Sequence, residues 1–255
     1  NFTNSLLVGT STTGTLSSAS ANTGVGLGVL GALTSGDCNV AVGFEALDIN
    51  TTGSQNVAIG AVALDTNTTG SKNIAIGMYA LDSNTTADCN VSIGYNSSQA
   101  NTTGTDNVAI GSNALTTNTT ADGNTAVGHR VLDANTTGAS NTALGSNALG
   151  ANTTGNKNTA IGHSAMFTNV GAGHCNVAVG ADALYANTTG DYNVAVGMMA
   201  LSHATTAPYN IAIGYCAQRD TTTGSYNVAI GGLAMCDNTT GTQNVAIGLN
   251  AMNKN

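Results

Sequence analysis

Nine tripeptides of one kind are the residues of this chain best placed to undergo chemistry. Asn-Thr-Thr opens at Asn50, Asn67, Asn84, Asn101, Asn118, Asn135, Asn152, Asn187 and Asn238. Each satisfies the Asn-x-Ser/Thr acceptor for N-linked glycosylation, on what reads as an exposed turn. Asn1 and Asn96 match as well, and Asn90 matches through Ser92 but falls in a segment expected to be buried. The competing reading is that Asn and Thr are simply good turn formers, copied wherever the turn is copied. A second group is Asp48, Asp65 and Asp82, which recur at one fixed interval. Stacked about 5 Å apart they would repel unless a cation such as Ca²⁺ bridged them. The plainer expectation is a solvated acidic row with no bound metal, because the Asp-rich nonapeptide pattern of calcium-binding β-rolls is absent.

Other reactive side chains do not assemble into a recognisable site. His129 and His163 share a place in the repeat, and His174 and His203 fall at another corner. No nucleophile, base and orienting acid recur at workable spacing, and the glycines include no Gly-x-x-x-x-Gly-Lys phosphate loop. No catalytic residue and no cofactor is expected. The five cysteines include no Cys-x-x-Cys pair. Cys38, Cys89 and Cys175 repeat at one place, where Cys38 and Cys89 would stand some 14 Å apart, too far for a disulfide. They are expected to be small packing residues.

All these groups are carried on one repeating element. Asn56-Val57-Ala58-Ile59-Gly60 returns as Asn73-Ile74-Ala75-Ile76-Gly77 and again as Asn107-Val108-Ala109-Ile110-Gly111. The closing glycines run from Gly9 to Gly248 at intervals of 17, with a single interval of 18 between Gly162 and Gly180. Fifteen such units account for all 255 residues, and self-similarity at a short fixed period marks a solenoid. Numbered from the block Asn, the unit reads Asn-Val-Ala-Ile-Gly, two variable residues, Ala-Leu, two variable residues, Asn-Thr-Thr-Gly and two more. Val and Ile at positions 2 and 4 share one face of a strand, with Ala at position 3 opposite. Glycines at 5 and 15 suit tight corners with positive φ. The expected fold is all-β: a parallel β-solenoid, or β-roll, of fifteen 17-residue coils, each with two short strands and two turns. It forms one repeat array, 1–255, with irregular first coils over 1–36, regular coils over 37–255 and a one-residue insertion near 170–175.

Three ladders would follow from stacking. The block Asn recurs in thirteen successive units from Asn39 to Asn244 and is expected to hydrogen-bond from coil to coil. Val, Ile and the Leu at position 9 are expected to point inward. Position 3 is Ala in twelve of those thirteen units: Ala41, Ala58, Ala75, Ala109, Ala126, Ala143, Ala160, Ala178, Ala195, Ala212, Ala229 and Ala246. Such uniformity opposite the Val/Ile pair suggests a close interface between identical protomers, or packing under a loop of the same chain.

Composition closes several routes. Only 7% of residues are charged and the net charge is −8, with five Lys and Arg in all, so no basic patch exists for nucleic acid. No apolar run approaches the roughly 18 residues of a membrane-spanning helix.

The Asn-Val-Ala-Ile-Gly-x-x-Ala-Leu unit, over residues 39 to 252, resembles the head repeats of trimeric autotransporter adhesins, whose blocks read Ser-Val-Ala-Ile-Gly. It is similar also to repeats of bacterial and phage fibre proteins. The resemblance implies a left-handed parallel β-roll assembling as a homotrimer, displayed on a cell surface or virion fibre and binding host matrix or surface glycans. The 17-residue unit is longer than that family's usual repeat. The expected function is therefore a non-enzymatic structural or adhesive extracellular fibre, a rigid rod or filament with Asn-Thr-Thr corners open to glycans. The alternative is an ice-binding solenoid using its Thr rows. A β-helical polysaccharide lyase ranks below both.

Overall fold

The computed structural model describes residues 4–9, 18–171 and 173–253. Segments 1–3, 10–17 and 254–255, with residue 172, lie outside the described residues; Asn1 and most of the Ser/Thr-rich start fall there. The chain forms two compact units, Asn1–Asn124 and Thr125–Asn255, both built from the same coil. In the first, strands β1 (Leu6–Val8), β2 (Thr23–Val25), β3 (Val40–Val42), β4 (Val57–Ile59), β5 (Ile74–Ile76), β6 (Val91–Ile93) and β7 (Val108–Ile110) pair in chain order, all parallel. The second holds β8 (Thr125–Val127), β9 (Thr142–Leu144), β10 (Thr159–Ile161), β11 (Val177–Val179), β12 (Val194–Val196), β13 (Ile211–Ile213), β14 (Val228–Ile230) and β15 (Val245–Ile247), again parallel and sequential. This is the all-β parallel solenoid that the 17-residue period demands, and no helix occurs among the described residues.

Each coil carries one strand of three residues rather than the two expected. The remaining sides are tight turns, and they too are bonded coil to coil. Leu64 N donates to Ala80 O at 3.0 Å, Thr68 N to Thr85 O at 2.9 Å and Lys72 N to Ser54 O at 2.9 Å. Closing so small a coil takes residues with positive φ. Gly at position 5 supplies one, with φ 136° at Gly60. The others are not glycines: Val62 (φ 59°), Leu64 (φ 54°) and Lys72 (φ 61°) stand for positions 7, 9 and 17 in the regular coils. A non-glycine left-handed residue costs on the order of 1–2 kcal/mol, so the coil persists only because stacking over-determines it. Glycine at position 15 has a different reason from the one expected. A Cβ on Gly70 would meet Asn67 Oδ1 and Ala87 O at 2.4 Å, so the residue is small for lack of room.

The faces of the strand are the reverse of the expectation. Ala41, Ala58, Ala75, Ala109, Ala126, Ala143, Ala160, Ala178, Ala195, Ala212 and Ala229 are fully buried inside the coil, and Ala246 nearly so. Val and Ile at positions 2 and 4 look outward. The interior is filled by these alanines, by Ala at position 8 and by Leu or Met at position 9, such as Leu64, Leu115 and Met166. Parity decides the matter. Positions 1 and 3 share a face, and the block Asn must point inward to reach the opposite wall, as Asn56 Nδ2 does in donating to Gly70 O at 2.9 Å. Walls bridged by one amide leave room at position 3 for a methyl group and little more. Where Ser92 replaces Ala, it faces a second serine at position 8, and its hydroxyl lies 3.0 Å from Ser97 O.

The extra residue of the second unit is absorbed at a corner. Ala160 pairs with Ala178 in unbroken register, while Asn169 Nδ2 reaches Gly173 O four residues on, where other coils use three.

Candidate functional site

The outward strand face is an exposed, largely apolar surface in each unit. Position 4 is more than a third exposed at Ile59, Ile110, Ile213 and Ile230, and 47% exposed at Leu144. Across β1 to β15 the two outward positions carry only Val, Ile, Leu or Thr, with no charge. Stacking therefore aligns an uncharged stripe, largely of Val and Ile, in each unit, and contiguous exposed apolar surface of this kind marks an interaction site. The alanines assigned above to a protomer interface cannot supply it, because their side chains are enclosed by their own coil.

The Asn-Thr-Thr corners are also turned inward. Asn50, Asn67, Asn84, Asn118, Asn135, Asn152 and Asn187 are fully buried, and Asn101 and Asn238 nearly so. Asn67 Nδ2, the atom a glycan would occupy, donates to Asn50 Oδ1 at 2.9 Å and to Gly70 O at 2.9 Å. The same amide ladder continues through Asn84 and Asn118. A buried amide left unbonded costs roughly 1–3 kcal/mol, which is why these residues are spent on the stack. A glycan on Nδ2 is incompatible with that packing, so the exposed-acceptor expectation is corrected at all nine. The first Thr of the corner also turns to its neighbour, Thr68 Oγ1 donating to Thr85 O at 2.9 Å. The second, as at Thr52, Thr69 and Thr103, stands exposed, while the first is exposed only at Thr239 among the nine corners.

The block Asn forms the second ladder, with amide-to-amide bonds such as Asn193 Nδ2 to Asn176 Oδ1 at 3.2 Å and, beside them, backbone bonds that the amide oxygens accept. Asn56 Oδ1 accepts the backbone N–H of Asn73 at 2.9 Å, and Asn39 Oδ1 that of Asn56.

The acidic row is less solvated than expected. Burial first, then the Asp48, Asp82 and Glu45 carboxylates, pushes the Asp65 carboxyl up to about 6. Its Oδ1 is buried without a hydrogen-bond partner. Asp82 is raised by burial, against which a hydrogen bond from Gln99 acts. Cys38 and Cys89, expected as packing residues, are exposed, and Cys175 is half-buried.

In the second unit the structure brings together residues that linear spacing had separated. His163 and His203 line one surface groove of about 420 Å³ with Asp182, Tyr185, Met199 and Arg219. The turn from position 6 to position 11 folds so tightly that both ends open on one face, which strand periodicity could not reveal. Beside the groove, Arg219 forks onto Asp220, Nε at 2.9 Å and Nη2 at 2.8 Å. That guanidinium holds the Asp220 carboxyl below its ordinary range, and His203 Nδ1 lies 2.9 Å from the same carboxylate. Asp220, Cys236 and Asp237 offer three ligand atoms within 4.8 Å of one another, but Arg219 already supplies the cation there. Elsewhere in this unit Tyr192, Tyr209 and Tyr226 stack with ring centroids 5.1 and 4.9 Å apart. The signal for that stack was legible: tyrosine at position 17 of three successive units.

Comparison with protein-family models, curated proteins and solved structures gives no match to this chain. No helix among the described residues is long and apolar enough to cross a membrane.

Proposed function

We propose that this chain is a non-enzymatic structural module of an extracellular fibre, built to associate with copies of itself. The observation that carries the proposal is the outward Val/Ile face, aligned in coil after coil and free of charge. Water-exposed β-branched side chains in a continuous stripe favour a partner surface of the same kind. A second copy of the chain presents one in identical register. The likeness of the Asn-Val-Ala-Ile-Gly block to adhesin head repeats supports three copies around that face, display outside the cell, and contact with host matrix or glycans. Ice binding is the weaker reading, because each corner leaves one Thr row exposed and turns the other toward the next coil.

Immunogold electron microscopy of native material tests the assignment. Antibody to this chain is expected to decorate filaments outside the cell or on a virion. Labelling confined to the cell interior would contradict it.

A further inference from the structure

The groove of the second unit is defined by a column of four residues at position 10. Backbone hydrogen bonds set Phe167, Tyr185, Ser202 and Arg219 in successive coils: Thr168 N donates to Tyr185 O at 3.0 Å, Ala186 N to Ser202 O at 2.9 Å and His203 N to Arg219 O at 3.0 Å. Phe167 and Tyr185 stack with centroids 5.6 Å apart and planes 20° from parallel. One face of Tyr185 is thus covered by Phe167. The other looks toward Ser202, which offers no ring, so the stack stops and a slot opens before Arg219.

Two coil spacings put Tyr185 and Arg219 about 9.6 Å apart. A flat aromatic guest in contact with both walls spans about 7 Å, two contacts of about 3.5 Å. A puckered six-membered ring, with wider contacts and its own thickness, spans roughly 8–9 Å and fits better. The rim of the slot is polar, with the carboxylate of Asp182 and the imidazoles of His163 and His203 beside it, and Met199 adds apolar contact. Few convergent polar groups around an apolar wall make a small-ligand site, and about 420 Å³ lies in the usual range of roughly 300–1,000 Å³. Arg219 is committed to Asp220, so no uncompensated guanidinium awaits an anion, while Asp182 would repel one.

We infer that this groove binds a neutral pyranoside. The ring packs its C–H face on Tyr185, and vicinal hydroxyls donate to Asp182 and exchange hydrogen bonds with His163 and His203. This site is independent of the self-association proposed above, so either can fail without the other.

The test uses the full chain, with the methyl glycosides of glucose, galactose, mannose and N-acetylglucosamine, plus the methyl glycoside of N-acetylneuraminic acid and adenosine, read by saturation-transfer NMR and calorimetry. At least one neutral glycoside is expected to bind at millimolar concentration or better, and to lose at least about tenfold in affinity with Ser202→Phe. That substitution extends the existing stack into the slot, at a position where the two preceding coils already carry rings. Tyr185→Ala is expected to lose binding as well, and both variants should keep wild-type circular dichroism and sedimentation. The inference is overturned if no neutral glycoside binds, if binding survives in both folded variants, or if the N-acetylneuraminic acid glycoside or adenosine binds as tightly as the best neutral glycoside.

Discussion

Asn67 and Asp65 stand two residues apart and show how the stack treats polar groups. Asn67 is wholly buried with both donor bonds of its amide made, so it acts as a structural element. Asp65 is half-buried, its Oδ1 enclosed and unbonded with Asp48, Asp82 and Glu45 nearby, so it is a local liability above its titration. Its folded value, about 6, lies above the ordinary 3.8, so the folded state binds the proton more tightly. The stability that Asp65 contributes should therefore be fullest below about pH 4, fall as pH rises through 6, and level off above it. Asp65→Asn should accordingly stabilise the protein at pH 8, by on the order of 1–2 kcal/mol after solvent screening. At pH 4 the change should be small. Denaturant melts at the two pH values check this; equal effects at both would refute the burial and repulsion argument. That these carboxylates align was legible from the period. Their burial was not, because it depends on how deeply the turn sinks into the coil.

At the scale of the coil, a single amide decides which way the strand faces. Period-2 alternation identified two faces in Val-Ala-Ile but could not say which was inside, and bulk suggested the wrong one. Large apolar residues go inward when a core has volume to fill. Here the two walls are bridged by Asn Nδ2 bonds such as Asn73 to Ala87 O at 2.8 Å, and the enclosed space suits Ala. Substitutions at two adjacent residues should therefore diverge. Ala58→Val overpacks the interior and should cost about 1–3 kcal/mol; Ile59→Thr, one residue away on the outer face, should be nearly neutral in a dissociated chain. Thermal melts of both variants check it, and the opposite ranking would restore the inward Val/Ile arrangement. Gly at position 5 was legible as a turn residue. Its second constraint came only from the stack: a Cβ on Gly77 would meet Gly94 O at 2.5 Å.

At the scale of the whole chain, the repeat made the solenoid legible from the intervals between glycines alone. The surface that would join copies was misplaced together with the strand face. Exchanging the two faces strengthens the case for association, because a stripe of Val and Ile has far more apolar area to bury than one of Ala. With 7% of residues charged, little on the surface opposes such contact. The most direct measurement is the native mass of the purified chain beside a triple variant, Ile59→Lys, Ile76→Lys and Ile110→Lys, which places three cations on the outer face and none inside. The wild type is expected to run as a multiple of 25.1 kDa, three copies by the adhesin-like arrangement. The variant should run as a monomer with its β circular dichroism retained. A monomeric wild type, or a variant that keeps the wild-type mass, would contradict the claim that the outward face joins one copy to the next.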